Sequence, residues 1–395
     1  MAIKKLKRTL SAEPEDQIDL DIESEEDLSG ISKSTLKQAV VFSTDWTTEV
    51  LINQLSRGNI DLDPTFQRRD AWNVRRKSLF IESLITGIPI PQIVLAERKN
   101  SKGSFLVIDG KQRLLSLQRF TSVVDDQEPY ALEGLHLRSD LNGYTYQDLK
   151  GRKDDLNAFE NQTIRTVVIR NWKQEDLLYL IFHRLNSETL PLSPQELRQA
   201  LHPGPFLTYC DKHSQTSSAL KKILRLKKPD FRMRDIELLV RHIAFRNFVS
   251  SYKGNLKKFL DKSCEQLNKH WKTNQARVKQ QAEDFEEAVS LAYKIFEGHP
   301  FRKWEDGQYE SRFNRAIFDV IVFYFADRKI RTLAGSQQTK ILAGFKKICT
   351  KDSSFIRAVE STTKSKSATA TRFNHWAEVL SHAIGLKVVP PKIYE

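Results

Sequence analysis

The chain is short of cysteine, of long apolar runs and of clustered histidines, and each shortage removes a class of function. Three cysteines, Cys210, Cys264 and Cys349, stand far apart in 395 residues, with no Cys-x-x-Cys or Cys-His grouping. A structural zinc site asks for four closely spaced ligands, and disulfide frameworks belong to small domains of oxidising compartments. Both are excluded, and the thiols are expected as small buried hydrophobes. Apolar stretches such as Val320–Ala326 are brief, against the roughly 18–20 residues that cross a bilayer. The basic start, Met1–Arg8, is followed by no apolar segment, so it lacks the secretory pattern. A cytoplasmic protein with no membrane partner is expected. The histidines, at 136, 183, 202, 213, 242, 270, 299, 375 and 382, form no His-Asn-His or Asp-His-His grouping.

What is abundant is positive charge and aromatic core material. The chain is 39% hydrophobic with 22 Phe and 6 Trp, and its net charge is +13. That charge is uneven. Nine acidic residues and no basic one lie between Glu13 and Asp27, whereas the first ten residues hold four cations. The rest of the chain is therefore more basic than the total implies, which favours nucleic acid or nucleotide partners over none. Residues 1–35 have too few aromatics to build a core and read as a disordered acidic tail.

Residues 36–200 have a mixed pattern. Helices are expected over Thr47–Arg57, from a cap at Asp70 through Trp72 and Leu84, over Lys111–Phe120 and over Gln174–Leu185. Trp72 is expected on the apolar side of its helix, as core. Strands are expected over Ile93–Glu97, Phe105–Ile108 and Thr163–Arg170, with a hairpin loop at Lys99–Gly103. Ser193-Pro194-Gln195-Glu196 is a helix start, with Ser at the cap, Pro first and Glu third. From 201 to 395 strand signals fade. Helical spacing returns over Asp235–Phe248, Gln275–Phe296, Arg312–Ala326 and Arg372–Ile384, and Ser361–Thr371 reads as a loop. The expected fold class is α+β: a small mixed sheet with helices, followed by an all-α domain.

The segment richest in chemistry is Phe105–Leu114, in which a strand ends at Asp109, Gly110 allows a tight turn and a helix begins at Lys111. A helix N-terminus offers unpaired N–H groups and partial positive charge to phosphate. Lys111 and Arg113 add cationic donors, Arg in bidentate fashion. Gln112 and Asp109 could orient a water. Alone, Asp-Gly before a helix is a common turn. Here it follows Asp63–Trp72, containing Gln67 and Arg68, and Gly87-Ile88-Pro89-Ile90-Pro91. It precedes Phe182–Leu197, containing Asn186, Glu188, Leu192, Pro194 and Glu196.

In order and spacing these four segments resemble the N-terminal domain of GmrSD-type restriction enzymes, a branch of the ParB/sulfiredoxin-like superfamily. The resemblance covers about residues 45–200 and continues more weakly through Arg234–Arg241 and Arg312–Asp319. It implies a ParB-like fold and a nucleoside triphosphate site tied to hydrolysis, in which the family's Asp-Gly-Gln-Gln-Arg reads Asp109-Gly110-Lys111-Gln112-Arg113. On that basis Asp109, Gln112 and Arg113 are candidate catalytic residues. Gln67, Arg68, Gly110, Lys111, Asn186 and Glu188 are candidate nucleotide ligands. Mg2+ is the implied cofactor, with Asn186 and Glu188 as its candidate ligands. In ParB proteins a later Glu-Asn…Leu-x-Pro-x-Glu segment helps hold metal and triphosphate; Asn186, Leu192, Pro194 and Glu196 follow it, and Leu185 replaces the acidic residue. Sulfiredoxin chemistry is excluded, since it needs a cysteine beside the turn and Cys210 lies 97 positions after Arg113.

A second basic feature spans Lys221–Arg234, with seven cations in 14 residues. Lys221, Lys222, Arg225, Lys227 and Lys228 fit contact with a DNA backbone, and equally fit a solvated helix face. Two functions stay open. One is a nucleoside triphosphate-binding and hydrolysing component of a DNA-restriction or anti-phage system, with a partner nuclease supplying cleavage. The other is a non-hydrolysing ParB-like adaptor for DNA or nucleotide. Homo-oligomer formation is left open.

Overall fold

The structure, a computed structural model, describes residues 39–62, 71–122, 129–185, 193–361 and 363–393. The acidic tail, Asp70, Gln67, Arg68, Asn186 and Glu188 lie outside the described residues.

The N-terminal half is built on a four-stranded sheet in the order β1-β4-β2-β3. Its strands are β1 (Val40–Thr47), β2 (Ile93–Arg98), β3 (Ser101–Asp109) and β4 (Thr163–Arg170). The β1–β4 and β2–β3 pairs are antiparallel, and β2 runs parallel to β4 with Val94 opposite Val167. The central strand β2 is apolar throughout its first four residues because both faces are covered. Ile93 and Leu95 point into a core with α1 (Thr48–Ser56), α2 (Val74–Ile85) and α3 (Lys111–Thr121). Val94 and Ala96 point into another core, with Trp172, α6 (Glu175–Leu185) and Leu197 of α7 (Pro194–Leu201). Short helices α4 (Tyr146–Leu149) and α5 (Lys153–Asn161) complete the first layer.

The second half is helical: α8 (Pro205–Thr216), α9 (Ser218–Leu224), α10 (Arg234–Phe248), α11 (Leu256–Lys269) and α12 (Trp271–Ile295). There follow α13 (Arg315–Phe325), α14 (Arg328–Ser336), α15 (Gln338–Lys351), α16 (Ser353–Glu360) and α17 (Lys366–Ile384). A single large core unites them, and all three cysteines are buried and in no disulfide. Among the described residues no helix is long and apolar enough to cross a membrane.

The α+β class holds, with local corrections. The helix after Trp72 starts at Val74, because Asn73 takes the cap by accepting from the Arg76 N–H. The hairpin turn shrinks to Lys99-Asn100, with Gly103 already in β3 at a bulge where its N–H donates to Glu97. Lys366–Thr371 belongs to α17, since Ser365 caps it and Ala368 and Thr369 are buried. A two-residue hairpin, β5 (Trp304–Glu305) with β6 (Gln308–Tyr309), interrupts the helical half at an Asp306-Gly307 turn of positive φ.

Buried ion pairs join the halves. Arg198, fully buried on α7, donates to Asp261 on α11 at 2.7 Å. Lys257 bridges Asp176 and Asp261, and His202 lies between Glu175 and Glu265.

Candidate functional site

The chain reverses at the end of β3, where backbone geometry leaves no choice of residue. Gly110 has φ 97°, in the left-handed region, and a Cβ there would sit 3.0 Å from Ile93 Cγ1. Only glycine joins β3 to α3 at so close an approach to β2. The N-cap residue of α3, Gly110, offers no side-chain acceptor to the donors of the first turn.

Those first-turn residues line a cleft of about 380 Å³. Asp109, Gly110, Lys111, Gln112 and Arg113 form its polar side together with Glu196; Trp72, Phe80, Pro89, Ile90 and Phe231 supply apolar wall. The volume and the polar-and-apolar lining suit a small organic ligand with a charged end.

Each cation of the turn has an internal carboxylate. Lys111 is buried and its Nζ lies 2.5 Å from Glu196 Oε1. Glu196 is also the third residue of α7, and its Oε2 accepts the Ser193 N–H at 2.6 Å in a capping box. The predicted helix start is therefore correct, and its glutamate does a second job that the local pattern did not show. Arg113 is buried; its Nη2 donates to Asp109 Oδ2 at 2.7 Å and to the Gln92 carbonyl at 2.9 Å. The Nε of Arg113 is buried without a hydrogen-bond partner. Gln112 Oε1 accepts the backbone N–H groups of Ala71 and Trp72, each at 3.3 Å, holding the chain that enters α2 against the turn.

The structure thus gathers five predicted site residues, Asp109 to Arg113, in one cleft. Gln67, Arg68, Asn186 and Glu188 are outside the described residues, so their place is not stated. The DNA candidates lie on α9 and the loop after it: Lys222, Arg225, Lys227 and Lys228 are exposed and Lys221 half-buried. Ile223 and Leu224 between them point into the helical core. Lys222 also rests on the Tyr293 ring, 4.1 Å from its centroid.

Two residues, Arg76 and Phe231, escaped sequence reading, and Trp72 takes a second role beside the core one expected of it. Arg76, exposed at the cleft in the first turn of α2, stacks over Trp72, four positions earlier and just before the helix, at 4.8 Å. Trp72 precedes that helix, half-buried, and packs edge-on against Phe80 while lining the cleft, so it is part core and part wall. Phe231 comes from the helical half, and no local pattern announces a residue brought in from that distance.

Among the described residues no group of three or more His, Cys, Asp or Glu could hold a metal ion. No curated protein and no solved structure matches the chain. Residues 49–203, which contain the sheet core, the Asp109–Arg113 turn and Glu196, match the family model of the GmrSD restriction endonuclease, N-terminal domain, and over this region the resemblance carried by the four motifs holds.

Proposed function

We propose that the cleft binds and hydrolyses a nucleoside triphosphate, and that the chain is a component of a restriction or anti-phage system whose nuclease is supplied by another chain. The observation that carries this reading is the uncapped N-terminus of α3, entered through Gly110 at φ 97° and opening on a cleft of about 380 Å³. A helix end of this kind presents roughly half a positive charge together with free N–H donors. Arg113, with its unpartnered Nε, adds a fixed guanidinium, and the wall of Trp72, Ile90 and Phe231 offers apolar contact to a base.

Phosphoryl transfer asks the protein mainly to position phosphates and balance their charge. In the proposed reaction, water attacks the terminal phosphorus, the phosphoanhydride bond breaks, and its electrons leave with the nucleoside diphosphate. Asp109, whose Oδ2 is held by Arg113, orients the water and takes its proton through the other oxygen. Gln112 fixes the Ala71–Trp72 backbone beside the phosphates. Mg2+, proposed to sit at Asn186 and Glu188, would supply charge neutralisation across the phosphate oxygens. The basic stretch of Lys221, Lys222, Arg225, Lys227 and Lys228 ends three residues before Phe231 of the cleft wall, and it is the proposed contact for a DNA backbone.

A second reading rests on the Lys111–Glu196 pair. With its ammonium already neutralised, Lys111 adds little net charge toward phosphate, which favours an adaptor that binds nucleotide without turnover. Calorimetry and phosphate release with Mg2+ and the four ribonucleotides and their deoxy forms decide the matter. Binding with phosphate release, lost in Asp109→Asn, supports the hydrolase; binding alone leaves the adaptor. No response from any nucleotide in a well-folded sample sinks both.

A further inference from the structure

The two segments that the cleft does not use, Arg234–Arg241 and Arg312–Asp319, meet in the middle of the helical half. Arg241 on α10 grips Asp319 on α13 through Nη2 to Oδ2 at 2.5 Å and Nε to Oδ1 at 3.1 Å. Glu237 Oε1 lies 3.8 Å from Arg241 Nη1 and 3.4 Å from Arg315 Nε. Arg372 enters from α17. Its Nη1 donates to the Ala358 and Thr363 carbonyls and its Nη2 to Thr369 Oγ1. It has no carboxylate of its own, and its Nε is buried with no hydrogen-bond partner.

These side chains line a cavity of about 30 Å³. Three guanidiniums and two carboxylates face it, all of them buried or nearly so; Lys364, half-buried on the wall, makes the balance no more negative. Burial pulls the Arg372 guanidinium down to about 10, which Asp319 only partly offsets. An uncompensated charge in a protein interior costs several kcal/mol, and here it borders a space. A water needs roughly 10–15 Å³ of such space, so the cavity takes one atomic ion and is too small for a tetrahedral oxyanion.

We propose that this cavity is a binding site for one monovalent, atomic-sized anion, a halide, held by Arg372 with Arg241 and Arg315. The ion completes the charge balance and ties α10, α13 and α17 together. The site is independent of the nucleotide cleft.

Two measurements on the full chain test it. Crystals soaked in sodium bromide should show one anomalous peak inside the cavity. The melting temperature should rise with chloride over gluconate at constant ionic strength, by about 1.5–2 °C per tenfold once chloride exceeds its dissociation constant. Arg372→Met should flatten that rise. Should this variant fail to fold, the bromide peak and the chloride series on the native chain still decide. Ordered water in place of bromide, or equal melting in chloride and gluconate, overturns the proposal. A bromide peak without any halide-dependent melting marks an ion bound at crystal concentration only, and overturns it too.

Discussion

In the N-terminal half the cations of the turn each have a carboxylate partner, Lys111 with Glu196 and Arg113 with Asp109. In the helical half Arg241 and Arg315 pair with two carboxylates, Glu237 and Asp319, and a third guanidinium, Arg372, faces the same cavity with its donors on carbonyls and Thr369. The first arrangement balances its side-chain charges and leaves the backbone dipole of α3 as the unmatched positive end, next to a wide cleft. The second leaves side-chain charge unmatched around a space for one atom. The same residue types therefore select for different ligands: a fixed dipole at an open surface suits a large polyanion, and a buried surplus around a small space suits a single small ion.

The largest expected effect comes from breaking the buried network. Asp319→Asn removes one of two carboxylates and leaves Arg241 and Arg372 facing each other, which should cost about 3–5 kcal/mol in denaturant unfolding. A loss under 1 kcal/mol would mean that solvent already screens the network, and the contrast with the cleft would collapse. Next comes Arg113→Ala, which removes a charge-assisted contact to phosphate. Nucleotide affinity in calorimetry should fall roughly 10- to 150-fold, for about 1.5–3 kcal/mol. Because Arg113 also ties Asp109 and Gln92, some stability goes with it, contrary to a guanidinium free in a solvated pocket. Arg113→Lys should rescue binding in part.

Lys111→Gln sharpens the charge argument. It strips Glu196 of its cation and puts an unneutralised carboxylate beside the phosphate site, so affinity should fall. The double change with Glu196→Gln should recover most of the loss, and a loss that persists would assign Lys111 a direct phosphate contact. The pH dependence of the join between the halves should be weaker. Burial opposes the charged form of His202, yet Glu175 holds its pKa above 6.5. Its contribution is therefore complete below about pH 6.5 and is lost as pH rises through the folded value. His242 has the opposite sign. Burial pulls it down to about 3, so its contribution is present above 6.5 and lost as pH falls. In a melting series from pH 6 to 8, His202→Gln should flatten the slope; an unchanged slope would remove His202 from the account. The smallest effect on the fold is expected from replacing Lys221, Lys222, Lys227 and Lys228 by Ala. Stability should hold while the salt dependence of duplex DNA binding shallows.

The turn at Asp109–Arg113 was legible because a strand, a glycine and a helix in immediate succession admit few geometries. The strand Thr163–Arg170 was legible to the residue, with its β-branched run. The strand Val40–Thr47 was not, since it is an edge strand whose Val41 and Phe42 face solvent and whose pairing with β4 joins residues over 100 positions apart. The same limit hid Phe231, and hid that Lys111 would find Glu196 85 residues away. Local pattern identifies the donors of a site; partners delivered by tertiary packing leave no mark beside them. The Lys366–Thr371 misreading has the reverse cause, a polar composition that masks an Ala368–Thr369 face turned inward.

The ion pairs across α7 and α11 bear on where this molecule can be divided. A fragment ending at residue 203 keeps the whole matched region, yet it discards Asp261 and Lys257. Arg198, wholly enclosed in the full chain, would lose its counter-ion, Asp176 would lose its cation, and the apolar surface beside them would be bared. The cleft would also lose Phe231 from its wall. A genetic cut at the edge of the matched domain therefore falls inside a physical unit, and such a truncation is expected to aggregate where the 395-residue chain stays monodisperse in size-exclusion chromatography.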